Sequence, residues 1–160
     1  MPSETIIIGA DHAGFALKES LKSCLVRLGL EITDVGTGNA DSVDYPDFGC
    51  RVSAGVSCGA YSRGILICGS GVGMTIVANK YPRVRAALCL DEETAELSRR
   101  HNDSNVLCLA GRKTDPEKAE KIMNAWLKTA FEGGRHNRRI EKIREIEKEL
   151  IYKGEIICPC

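Results

Sequence analysis

Short apolar strands alternate with helices along this chain. That alternation predicts an α/β, Rossmann-like doubly wound fold: a five-stranded parallel sheet with helices on both faces and a further helix at the C-terminal end. Three observations carry the prediction. There are five short runs of β-branched and aliphatic residues, there are apolar positions at helical spacing between them, and a glycine-rich turn stands where the third run passes into a helix. Right-handed crossovers make 2-1-3-4-5 the natural strand order and put ligands at the carboxyl edge of the sheet.

The first strand is expected over 5–9 (TIIIG). The first helix, over 15–28, has Leu17, Leu21, Cys24, Leu25 and Leu28 on one face and Gly29 as its stop. A second strand over 31–35 runs into Gly36-Thr37-Gly38. Asp44-Tyr45-Pro46 opens a helix to about 58, with proline in the first turn, where its missing N–H is not needed. Strand three is 64–68 (GILIC), followed by the loop Gly69-Ser70-Gly71-Val72-Gly73 and a short helix over 74–80. Strand four is 85–90, helix four 92–100 and strand five 105–109. Asp115-Pro116 caps a helix over 117–131, and Gly133-Gly134 ends it. The last helix, 135–150, has only Ile140, Ile143, Ile146 and Leu150 as an apolar stripe between Glu and Lys. A stripe this narrow resembles a coiled-coil seam more than a core face and points to dimerisation. The organisation is therefore one domain over 1–150 and a tail over 151–160.

Composition narrows the function classes. The 160 residues suffice for one proper core, and 43% hydrophobic with 28% charged residues is a globular balance. Lys plus Arg and Asp plus Glu are each 22, so the net charge is zero. That argues against nucleic-acid and membrane-surface partners, which select a basic footprint. No signal peptide or membrane span is expected, so the chain is read as cytoplasmic. Its eight cysteines then lie in a reducing compartment. No pair has CxxC spacing, which speaks against a disulfide framework, a metal site or a redox protein.

Four stretches could carry chemistry. The first is Cys68-Gly69-Ser70-Gly71-Val72-Gly73, between a strand and a helix. Glycines let backbone N–H groups crowd toward an anion, and the helix dipole adds positive potential. The same setting favours the thiolate form of a cysteine, which makes Cys68 a candidate nucleophile or base. A phosphate cradle, an anion hole beside a reactive cysteine and a plain turn with a buried thiol all fit these residues. The match to GxGxxG is imperfect and no GK[ST] follows, so a nucleotide P-loop is excluded. The second stretch is Asp11-His12, placed to meet a sugar hydroxyl and a phosphate, or simply to cap a helix. The third is His101-Asn102-Asp103, which on its own reads as a turn before a strand. The fourth is Arg135-His136-Asn137-Arg138-Arg139. Arg135 and Arg139 share a helix face and can offer two forks to one phosphate. Arginines in a first turn oppose the helix dipole, so an anion there would offset the conflict.

Topology adds a constraint. Helix four runs back to the amino edge, so His101 and Asn102 end up a strand length, roughly 17 Å, from Cys68. If both serve one site, a second subunit supplies His101. The exposed stripe of the last helix gives two chains a reason to associate as a two-fold dimer, or a larger assembly.

Taken together, Gly9 through Phe15, Asp44-Tyr45-Pro46-Asp47, Cys68 through Met74, Ala78-Asn79-Lys80, Ser98 through Asp103 and Glu132 through His136 resemble type B ribose-5-phosphate isomerases. These belong to a wider sugar-phosphate isomerase family that includes the lactose-operon galactose-6-phosphate isomerase subunits. The resemblance implies an aldose–ketose isomerase of the non-oxidative pentose phosphate pathway that uses no cofactor or metal. It implies Cys68 as proton acceptor, His101 in ring opening, and Ser70 as a hydroxyl that can shuttle a proton. Gly69, Ser70, Gly71, Val72 and Gly73 become the anion hole. Asp11, His12, Tyr45, Asn102, Arg112, Arg135 and Arg139 become substrate contacts. Position 70 is Ser where much of the family has Thr. One branch replaces the cysteine by a Glu at the position of Met74, and Met74 is no base, which favours Cys68 here. Two alternatives stay open: an isomerase of a six-carbon sugar phosphate such as allose 6-phosphate or galactose 6-phosphate, and a non-catalytic nucleotide-binding Rossmann module using Asp91 to hold a ribose.

Overall fold

A computed structural model describes residues 5–152. In it β1 (Thr5–Ala10), α1 (Phe15–Arg27), β2 (Glu31–Asp34), α2 (Pro46–Ser57), β3 (Arg63–Cys68) and α3 (Val72–Ala78) form the first half. β4 (Ala86–Leu88), α4 (Glu92–Asn102), β5 (Val106–Ala110), α5 (Pro116–Lys128) and α6 (Arg135–Tyr152) form the second. Every predicted element is present, and the boundaries move by only a few residues. One such move matters: α4 runs on through Asn102, so His101 and Asn102 are its last helical residues and not the turn that follows it. α6 likewise continues into the expected tail, whose residues 153–160, with Cys158 and Cys160, lie outside the described residues.

All strand pairs are parallel, but the order is β2-β1-β3-β5-β4, not 2-1-3-4-5. The physical reason lies in the last two strands. β5 (VLCLA) is buried at every position, whereas β4 is three residues long and only half covered. A strand buried on both faces belongs inside a parallel sheet, and a short half-covered one belongs at its edge. The step from β4 back to β5 reverses direction across the sheet, so a right-handed crossover sends α4 to the face that holds α1 and α5.

Alternation along the strands divides the core between the two faces. Ile6, Ile8, Ile65, Ile67, Leu107 and Leu109 pack under Leu17, Leu21 and Leu25 of α1, Ala95 of α4 and Ile122, Met123 and Trp126 of α5. Ile7, Leu66, Cys68, Val106 and Cys108 face Val52 and Val56 of α2 and Met74 and Ala78 of α3. α6 buries Ile140 and His136 near its start, but Ile143, Ile146 and Leu150 are 38%, 58% and 37% exposed. Beyond Ile140, the described residues cover the stripe only in part.

A buried polar chain fixes the end of α4. The Trp126 indole N–H donates to Ser104 Oγ at 2.8 Å, and the Ser98 and Ser104 hydroxyls share a hydrogen bond of 2.8 Å. The Arg99 and Arg63 guanidinium groups lie 5.8 and 5.7 Å from the Trp126 ring. The Ser104→Ala variant leaves the indole N–H buried and unpaired. It should lose about 1–3 kcal/mol of stability in urea unfolding followed by Trp126 fluorescence.

Candidate active site

The carboxyl ends of β1, β3 and β5 meet in a tight junction. A Cβ added to Gly14 would lie 2.6 Å from the carbonyl oxygen of Ile67, and one added to Gly111 would lie 2.6 Å from that of Ala13. The loop after β1 therefore rests directly on the end of β3, and the turn after β5 rests on that loop. Asp11, nearly fully buried, tightens the first loop: its Oδ1 accepts from the N–H groups of Ala13 and Gly14, each at 3.0 Å. This is a turn ahead of α1 and not a side-chain cap of the helix, whose N-cap is Gly14. Next to it His12 Nδ1 lies 3.2 Å from both the Val43 N–H and the Val43 carbonyl oxygen, so the backbone of Val43 holds the ring in place.

Cys68 is the last residue of β3 and is 4% exposed, its side chain in the layer of Met74, Ala78 and Val52. The chain then enters the glycine loop. Gly71 has φ +76°, the left-handed region, and a side chain there would meet Leu88 Cδ1 at 2.4 Å. α3 starts at Val72, two residues earlier than expected, so the loop sits in the mouth of a helix N-terminus. Ser70 is exposed, and its Oγ accepts from the Val72 N–H at 3.3 Å. Tyr45, the residue before α2, lays its ring over Gly73: an added Cβ would approach Tyr45 Cζ to 2.7 Å. The exposed Arg112 side chain lies against Gly69, at 3.4–3.5 Å from such a Cβ. Burial pushes the Cys89 thiol up to about 11 and Cys108 up to about 12, so these neighbours stay protonated at neutral pH.

The structure thus gathers Asp11, His12, Tyr45, Cys68, Gly69, Ser70, Gly71, Val72, Gly73 and Arg112 at the carboxyl edge. The other four candidates are elsewhere. His101 and Asn102 end α4, and Arg135 and Arg139 begin α6; all four lie at the amino edge, where Asn105 leads into β5. The ends of the six-residue β3 are roughly 17 Å apart, and this separates the two groups within one chain.

At the amino edge His101 has a companion to which sequence reasoning gave no role. Its ring stacks on that of His136, with centroids 4.4 Å and planes 9° apart. His136 is 3% exposed. Burial, together with the positive neighbours His101 and Arg135, holds its imidazole below the usual range. Glu132 Oε2 lies 3.9 Å from His101 Nε2. The hint in the sequence was Gly133-Gly134: both take positive φ and turn α6 back onto the end of α4. Donor atoms of His101, Glu132 and His136 fall within 4.8 Å of one another, a composition that can hold a metal ion. The rings are parallel, however, so their in-plane lone pairs do not converge, and Arg135 Nε donates to His136 Nε2 at 3.5 Å. Among the described residues no carboxylate pairs with Arg135, Arg138 or Arg139, so the first turn of α6 keeps its positive charge.

The Rossmann alternative loses its acidic residue. Asp91 caps α4 by accepting from the Thr94 N–H at 2.7 Å, and it follows β4, which β5 separates from the glycine loop.

Fold and edge geometry define an α/β protein with a cysteine and a glycine loop at the carboxyl edge of its sheet as the candidate site. Residues 6–143 match the family model described as Ribose/Galactose Isomerase, and the chain belongs to that family. It is 45% identical over 143 residues to ribose-5-phosphate isomerase B of Escherichia coli (strain K12), covering 89% of this chain and 96% of that one. Among solved structures, ribose-5-phosphate isomerase B of Clostridium thermocellum is 48% identical with a TM-score of 0.88, covering 91% of this chain and 98% of the other. The Mycoplasma genitalium enzyme, solved with bound ribulose-5-phosphate, is 43% identical with a TM-score of 0.88, covering 92% and 98%.

The junction gives a direct test. In Gly14→Ala the new methyl meets backbone, which has little freedom to move. The variant should lose about 1–3 kcal/mol in urea unfolding, whereas Gly38→Ala, with open space around its Cα, should change stability far less.

Proposed function

We propose that the chain interconverts ribose 5-phosphate and ribulose 5-phosphate in the cytoplasm, in the non-oxidative pentose phosphate pathway, as a homodimer with two shared sites. The observation that carries this is the division of the family's polar residues between opposite edges of one sheet: the cysteine and glycine loop at one, the histidine and arginines at the other. Two chains related by a two-fold axis can bring opposite edges together, and the partly exposed stripe of α6 supplies apolar surface for that contact. Likeness to a protein solved with ribulose-5-phosphate supports the five-carbon substrate. The family's description names galactose too, so a six-carbon phosphate is the second reading.

In the proposed reaction His101 of the partner subunit takes the proton of the anomeric hydroxyl and returns one to the ring oxygen, which opens the furanose. The Cys68 thiolate removes the proton from C2 of the aldose. The electron pair moves to the carbonyl oxygen, giving an enediolate, and the thiol then delivers the proton to C1. Charge grows on oxygen beside the 69–73 backbone amides, which are fixed in place before the reaction begins. Ser70 Oγ can pass a proton between O1 and O2. Asp11, Tyr45 and Asn102 meet the sugar. His12 and Arg112 from one chain, with Arg135 and Arg139 from the other, hold the phosphate, the anion that the first turn of α6 lacks. No step uses a metal or a redox cofactor, and 1–150 forms the isomerase domain.

Three outcomes test the proposal. Cys68→Ala should lose at least 10²–10⁴-fold in kcat while still binding substrate, measured by coupled assay and calorimetry; turnover near wild type refutes the base. Activity should survive EDTA. Cys68→Ala and His101→Ala are each expected to be inactive, yet equal amounts refolded together should recover about a quarter of wild-type activity. Half the dimers are then mixed, and each mixed dimer has one intact site of two. No recovery, or a fully active monomer in sedimentation, overturns the shared site.

A further inference from the structure

We propose that His136 is a positioning residue for His101: its buried ring is a fixed platform that sets the plane of the His101 imidazole, while the nearby Glu132 carboxylate biases the position of its proton. The inference rests on the reading of His101 as the ring-opening group.

The motive is a mobility problem. His101 is the penultimate residue of α4, and its side chain is 36% exposed. Helix ends fray, and an exposed imidazole there rotates freely about χ2. An acid–base group that must reach two oxygens of one sugar works only if its nitrogens hold their direction. A flat partner at 4.4 Å, inclined by 9°, removes that freedom. The platform is itself anchored. His136 is buried, its N–H donates to the Gly133 carbonyl at 3.0 Å, and its Nε2 accepts from Arg135 Nε at 3.5 Å. The preceding loop is tied to α4 by the Glu132 N–H, which donates to the Arg100 carbonyl at 3.0 Å. α6 thus enters with its first turn locked to the end of α4, and the two rings move together.

Glu132 supplies the second constraint. Its Oε2 lies 3.9 Å from Nε2, too far for a hydrogen bond, so its negative charge biases the ring's proton toward Nε2 and leaves Nδ1 as the proton acceptor. The charged groups facing the pair are Glu132 from the loop and Arg135 and Arg139 from α6. Burial, with positive charge from His101 and these arginines, opposes protonation of His136. Keeping His136 neutral preserves the stack, since two imidazolium rings face to face would repel.

The test separates ring shape from nitrogen chemistry. His136→Phe keeps the flat face, whereas His136→Gln keeps an acceptor for Arg135 and loses the face. In the full-length enzyme we expect Phe to stay within about threefold of wild-type kcat on ribose 5-phosphate. Gln should fall on the order of 10- to 100-fold with KM within about twofold. In ¹⁵N spectra of labelled histidine, His101 should show the Nε2–H tautomer in wild type and Phe, and averaged shifts in Gln. A Gln variant with wild-type kcat, or a Phe variant as impaired as Gln, overturns the proposal. If Gln does not fold, as judged by Trp126 fluorescence, the Phe spectrum alone decides: averaged His101 shifts in that variant reject the platform, and a retained tautomer supports it. His101→Asn, assayed alongside, distinguishes the two layers of inference. Full activity in that variant removes the ring-opening role itself, whereas its inactivity beside an unaffected His136→Gln removes the platform alone.

Discussion

Strand direction is the constraint on which the rest of this structure depends. Because all five strands run the same way, each strand-to-helix loop emerges at one edge and each helix-to-strand turn at the other. A residue at the end of β3 and a residue at the end of α4 are separated by the length of a strand, whatever the order of strands in the sheet. The polar residues obey that rule: the cysteine and glycine loop fall on one side, the stacked histidines and the arginine turn on the other. The proposed isomerisation draws on both groups, and their separation within one chain is the reason for proposing association.

Each edge is built by a different device. The carboxyl edge relies on backbone packed against backbone, with glycine at 14 and 111 where any side chain would collide with a carbonyl. Such a junction is stiff, which suits a loop whose amides should be in place before charge develops. The amino edge relies on side chains. Trp126 under two guanidinium groups, the Ser98–Ser104 pair and the ring of His136 together hold the end of α4. Asp103, the residue after that helix, takes a left-handed conformation and is clasped by Arg85 and Arg99 at 2.8 Å each.

Much of this was legible in the sequence. Periodicity located every element, Asp115-Pro116 marked the start of α5, and Gly69 through Gly73 marked the strand-to-helix loop. Strand order was not legible, because it depends on which strand is buried on both faces. Val106 to Ala110 and Arg85 to Leu90 read as equally apolar until burial distinguishes them. His136 was also missed as a partner of His101. The two are thirty-five positions apart, and only the turn at Gly133-Gly134 brings their rings together. Asp91 misled in the other direction: a carboxylate at a tolerable spacing from the glycine loop proved to be the N-cap of α4, after a strand that does not pair with β3.

The position of β4 bears on how the chain comes together during synthesis. Among the described strands β4 pairs only with β5, which is made after it and lies between it and the rest of the sheet. While the ribosome is still translating the α4 segment, residues 86–88 have no neighbouring strand, and β3 shows an open edge in the place β5 will take. β5 must then enter between two segments already made, closing both gaps at once. A nascent chain halted in this interval exposes two unpaired strand edges, so the second half of the sheet assembles late and in a single step.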